Sequence, residues 1–134
     1  MMESNCVWIY CRIAPSDDFT VDAQLAELRR YAAHNGYLTV GATAECGSGL
    51  ALDRPGISEV TEAVRRGRMD TLIVKDLSRI GRGCELIQDY IDFLCRHGVA
   101  LVTLSERLQI RDCSELFAPW QQKSRVVLQH FQML

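Results

Sequence analysis

Residues 71–74 read Thr-Leu-Ile-Val, an apolar run too short for a helix and lacking the alternation of a half-buried strand. Such runs belong to strands covered on both faces, as in parallel sheets flanked by helices. The remaining chain meets that demand. "CVWIYCRI" (6–13) predicts a first strand. Val21, Leu25, Leu28 and Ala32 then recur at helical spacing, between a Thr20 N-cap and an Asn35-Gly36 stop. "YLTVGATA" (37–44) predicts a second strand, followed by the glycine-rich loop "ECGSGLALDRPG". Ile57, Val60 and Val64 mark a helix ending at Gly67, and Leu86, Ile87, Tyr90, Ile91 and Leu94 another closed by Gly98. "VALVTL" (99–104) predicts a fourth strand. A βαβαβαβ order implies an α/β fold, a mostly parallel sheet with helices on both faces. Ligands of such sheets sit beyond the carboxyl ends of the strands.

Composition narrows the function classes. At 134 residues the chain suits one domain, and 48% hydrophobic against 24% charged residues marks it as globular. No apolar run approaches the roughly 20 residues of a membrane span, and the N-terminus lacks a signal-peptide pattern, so a cytoplasmic protein is expected. The six cysteines form no C-x-x-C pair. Buried thiols are expected, and no metal centre. "GSG" falls short of a dinucleotide fingerprint, and Ser48 reads as a turn residue.

The net charge of −2 is unevenly spread: residues 54–82 carry seven basic and four acidic side chains. Arg65, Arg66 and Arg68 suit a helix end, where cations meet the dipole. The others gather after the predicted strands. Arg12 and Ala14 follow the first, Arg54 the second, and "KDLSRIGRG" brings Lys75, Asp76, Ser78, Arg79 and Arg82 after the third. Arginine recognises phosphate bidentately and keeps its charge when partly buried. Four on one rim point to a phosphoryl or phosphodiester site. If "SRIGRG" opens the next helix, Arg79 and Arg82 share a face of it beside the helix N-terminus. The plainer reading of Arg12 is a strand-end cation paired with Asp17, Asp18 or Asp76.

"YCRIA", "GSGLALDRPG" and "VKDLSRIGRG", in that order at three strand ends, resemble the catalytic domain of the serine recombinases. That family comprises resolvases, DNA invertases and large integrases, and "KDLSR" is most similar to the large recombinases of transposons and conjugative elements. The resemblance covers about residues 7–108. It implies a Rossmann-like α/β domain over 1–112 and a C-terminal helix over 113–134, with the DNA-reading module absent. It also implies strand cleavage through a serine linked to the 5′ phosphate, without metal, cofactor or small-molecule substrate. Arg12, Arg54, Arg79 and Arg82 match the arginines that hold the scissile phosphate, with Lys75 nearby. Tyr10, Gln24, Glu45 and Ser78 match supporting positions.

Ala14 matches the nucleophilic serine, and a methyl group cannot attack phosphorus. Three readings of Ala14 stand side by side: a degenerate or regulatory recombinase, a replaced serine, or a role taken over by Ser16. Ser16 lies about 6–7 Å further along an extended chain, and a displacement of about 1 Å can cost a hundredfold in rate. Two other function classes compete. One is a non-catalytic DNA-binding or regulatory partner of an active recombinase. The other is a receiver-like phosphoacceptor using Asp17, Asp18 and Asp76 with Mg²⁺. The expected partners are DNA, in the nucleoid, and further copies of the chain. In "APWQQKSRVVLQHFQML", Pro119 suits a helix start, and Trp120, Val127, Phe131 and Leu134 share one face. That face folds back on the sheet or, as the resemblance implies, makes a homodimer or tetramer.

Overall fold

Strand β1 (Cys6–Ile13) is the pivot of a five-stranded sheet ordered β2-β1-β3-β4-β5, with β2 spanning Leu38–Cys46, β3 Thr71–Val74, β4 Ala100–Thr103 and β5 Leu108–Ile110. The computed structural model describes residues 5–14, 20–47 and 54–111. Ser16, Asp17, Asp18, Ser48 and the whole segment 113–134, with Trp120, Val127 and Phe131, lie outside the described residues. β1 to β4 run parallel, as the sequence predicts.

Helix α1 (Val21–His34) covers one face of the sheet, while α2 (Pro55–Arg65) and α3 (Cys84–Arg96) cover the other. Alternation along β1 sorts the two cores. Val7, Ile9 and Cys11 pack under α1 with Leu28, Ala32, Ile73 and Val102. Trp8 and Tyr10 face the α2 and α3 side with Ile57, Val60, Leu72, Ile87 and Leu94. Every residue of β3 and β4 is buried, which explains their unbroken apolar runs. The Thr20 hydroxyl accepts from the Ala23 amide at 3.1 Å, capping α1 as expected.

Three expectations need correction. β2 reaches Cys46, two residues past its predicted end, so Glu45 lies within the strand opposite Arg12. A fifth strand, antiparallel to β4, escaped notice because three residues are too few to show a period. "SRIGRG" does not open α3: Leu77–Arg79 forms a separate 3-10 turn. Gly83, at φ 102°, then turns the chain before α3 begins at Cys84. Arg79 and Arg82 therefore share no helix face. The thiols divide as well: Cys11 is buried and Cys46 exposed. No helix among the described residues is long and apolar enough to cross a membrane.

The Trp8 indole lies flat on the β2 backbone at Gly41, and its Nε1 donates to the Thr43 hydroxyl at 2.9 Å. Thr43 passes the bond on to Glu59 of α2 at 2.5 Å, so one chain of hydrogen bonds crosses from β1 to the helix. A methyl group at 41 would collide with the indole ring. Gly41→Ala is therefore expected to destabilise the domain by about 1–3 kcal/mol, the usual effect of overpacking. Urea denaturation followed through Trp8 fluorescence measures it, and an unchanged midpoint would show that the ring is free to move aside.

Candidate functional site at the strand ends

β1 outruns β3. Its pairing with β3 stops at Ile9↔Ile73, whereas pairing with β2 continues to Ile13↔Cys46. The main chain of Arg12 consequently faces a gap where β3 has ended. Gln24 of α1, itself buried, fills that gap with its side-chain amide. It accepts from the Arg12 amide at 3.3 Å and donates to the Arg12 carbonyl at 3.4 Å, standing in for the missing strand. The Arg79 Nη1 donates to the same carbonyl at 2.8 Å.

The Arg12 side chain is 1% exposed and meets carbonyls rather than a carboxylate. It donates from Nη1 to Gly47 O at 2.7 Å, from Nε to Arg79 O at 3.1 Å and from Nη2 to Ser78 O at 2.5 Å. Of the three carboxylates weighed as partners for Arg12, Asp17 and Asp18 lie outside the described residues and Asp76 is engaged elsewhere. Asp76 caps Ser78, accepting from both its amide and its hydroxyl, and forms an ion pair with Arg79 Nε at 3.5 Å. Burial lowers the pKa of Arg12 first, followed by the charge of Arg54 and then those of Arg79 and Arg82, with Tyr10 acting the other way.

Arg54, at the N-cap of α2, is also buried. Its Nη2 donates to Ile80 O at 2.5 Å and Arg79 O at 3.3 Å, and its Nε approaches Tyr10 and Glu45. Glu45 is the hub of this half. It accepts from the Tyr10 hydroxyl and from the Gly56 amide at 2.8 Å, and pairs with Arg54 at 3.4 Å. Only a bare Cα at 56 admits the carboxylate so close to the helix start. Burial, and then the bond to Glu45, raise the Tyr10 pKa, so its hydroxyl stays a neutral donor.

Arg12, Arg54 and Arg79 thus form one hydrogen-bonded cluster, Tyr10, Gln24 and Glu45 support it, and Ser78 lends it a carbonyl. Arg82 is exposed, and its charge reaches Arg12. Lys75 does not join the cluster: it turns to the α1 face and pairs with Glu27 at 2.6 Å. Ala14, half-buried, directly follows Ile13. Four guanidiniums against the carboxylates of Glu45 and Asp76 leave excess positive charge suited to a polyanion. Among the described residues, the candidate nucleophiles near it include Cys46, exposed at the end of β2. The Ser78 hydroxyl is bonded to Asp76, and Cys11 lies in the other core with its thiol pushed up to about 12 by burial. Sequence reading missed Gly47 and Glu106: the first offers a main-chain carbonyl to Arg12, and the second accepts from the Leu77 amide at 3.1 Å. No local pattern announces either.

The described residues contain no group of three or more His, Cys, Asp or Glu that could hold a metal ion. A family model, "Resolvase, N terminal domain", matches residues 7–123. The fold is similar to that of the N-terminal catalytic domain of TP901-1 integrase, with TM-score 0.73 at 21% identity over 96% of this chain and 92% of that one. It is also similar to a resolvase family site-specific recombinase from Streptococcus pneumoniae, with TM-score 0.69 at 20% identity over 96% and 95%. The C-terminal catalytic domain of ISC1926 TnpA, an IS607-like serine recombinase, gives TM-score 0.68 at 21% identity over 96% of each chain. The matched family model, spanning most of the length, makes this chain a member of the resolvase N-terminal domain family, that of the serine recombinase catalytic domains.

Proposed function

We propose that this domain grips the phosphodiester backbone of DNA at its strand-end arginines and does not cut it. One observation carries the reading: a guanidinium cluster is assembled at the end of β1, where alanine follows Ile13. In the family's chemistry a serine oxygen attacks phosphorus, the 3′ oxygen leaves, and the 5′ phosphate remains on the serine. Each step needs an oxygen at position 14.

The arginines divide the work. Arg12 and Arg54 are buried against carbonyls and tie Gly47 and the start of α2 to the segment after β3. Arg82, exposed at the rim, presents charge to the ligand. The domain acts in the nucleoid as a non-cleaving member of a recombinase assembly. Its partner is a second copy of the chain, met through the stripe of Trp120, Val127 and Phe131, in a dimer or tetramer.

Three outcomes are expected. Incubation with a nicked suicide duplex, followed by denaturing gel electrophoresis, gives no covalent adduct. An adduct mapping to Ser16 would overturn the assignment of position 14. Arg12→Met lowers stability by about 2 kcal/mol or more, since the Gly47 and Ser78 carbonyls lose their donor at roughly 1–3 kcal/mol each while the Arg79 carbonyl keeps Arg54. Arg82→Ala stays within about 0.5 kcal/mol, as exposed substitutions do. Chemical denaturation of the two variants reads both, and equal losses would refute the division of labour. Val127→Lys combined with Phe131→Lys reduces the mass seen in sedimentation equilibrium to that of one chain. A wild type already monomeric at high concentration sinks the dimer.

A further inference from the structure

Beyond the arginine cluster, the carboxyl edge carries a second feature, the turn joining β4 to β5. Arg107, at its tip, has φ 58° and is the one non-glycine at positive φ among the described residues. Glycine takes that conformation freely, whereas an arginine there strains the fold. Arg107 is exposed and lines an open cleft of about 650 Å³ together with Lys75, Ser105, Gln109, Tyr31 and Glu27. Lys75 is paired with Glu27 at 2.6 Å, so the excess cation of the cleft is Arg107. Leu104 and Leu108 also line the cleft, and its uncharged polar groups, hydroxyls and an amide, are the kind that bond phosphate and sugar oxygens.

The turn is also tied to the loop that carries Arg79 and Arg82. The Ser105 amide donates to the Lys75 carbonyl at 2.9 Å, and the Leu104 amide to the Val74 carbonyl at 3.2 Å. Glu106 accepts from the Leu77 amide at 3.1 Å, which turns its charge inward, away from the cleft. The turn that carries Arg107 is thus tied to the start of the segment that carries Arg82.

We propose that the β4–β5 turn is a second contact for the nucleic-acid backbone, made by Arg107 with Ser105 and independent of base sequence. This inference rests on the DNA reading above. It explains a strained residue by its ligand, since strain at a surface turn persists where function requires the side chain.

The test uses the whole chain and a labelled 20-base-pair duplex of mixed sequence, titrated by fluorescence anisotropy across a salt series. Arg107→Gly should melt no lower than the wild type, yet bind roughly three- to tenfold more weakly near 0.1 M salt. Its plot of log affinity against log salt should be shallower by about one, the loss of a single phosphate contact. Arg107→Lys should keep most of the slope. If Arg107→Gly binds like the wild type while Arg82→Ala binds more weakly, the second contact falls and the DNA reading stands. If neither substitution alters binding, or the wild type does not bind the duplex, the DNA reading falls with it.

Discussion

The strand-end architecture depends on a reciprocal exchange between two arginines. The guanidinium of Arg12 donates to the carbonyl of Arg79, and the guanidinium of Arg79 donates to the carbonyl of Arg12. The two residues lie 67 positions apart, and the exchange joins them beyond the point where strand pairing ends. Charge-assisted bonds are roughly twice as strong as neutral ones, and here they act in a buried, low-dielectric setting. Gly47, directly after β2, and Ser78, in the segment after β3, are drawn into the same clamp, so both are held against β1.

A second fixed point lies alongside. Glu45 sits between the Gly56 amide at the start of α2, Arg54 and Tyr10. A carboxylate at a helix start favours the macrodipole, and here it also offsets part of the charge of Arg54. The Trp8–Thr43–Glu59 chain ties the same helix to the same pair of strands one step further from the site. Helix α2 is thus pinned to β1 and β2 at two levels, and Arg54 is carried on its rigid end.

Much of this was legible in the sequence, because periodicity and termini are local signals. "TLIV" read as a doubly covered strand, and Thr20, Asn35 and Gly36 bounded the first helix. The rim arginines were legible because parallel strands bring their carboxyl ends together regardless of sequence distance. What each arginine touches was not. Whether Arg12 meets Asp76 or three carbonyls depends on β1 outlasting β3, a matter of register that no single segment encodes. Lys75 misled for a related reason: alternation beyond a four-residue strand gave no reliable face, and Glu27 drew it to the α1 side. The Gly83 turn defeated the reading of "SRIGRG", since a helix start there needs a φ that Gly83 does not adopt.

The carbonyl bonds of Arg12 also bear on how such a chain can change over generations. Losing the oxygen at position 14 removes a chemical demand on the arginines and leaves the structural one in place. A lineage that no longer cuts DNA would still be selected to keep Arg12 and Arg54, because their loss would free Gly47, Ser78 and Ile80 from the strand ends. In the proposed reading, the buried arginines answer the requirement to fold, and residue 14 answers the requirement to react.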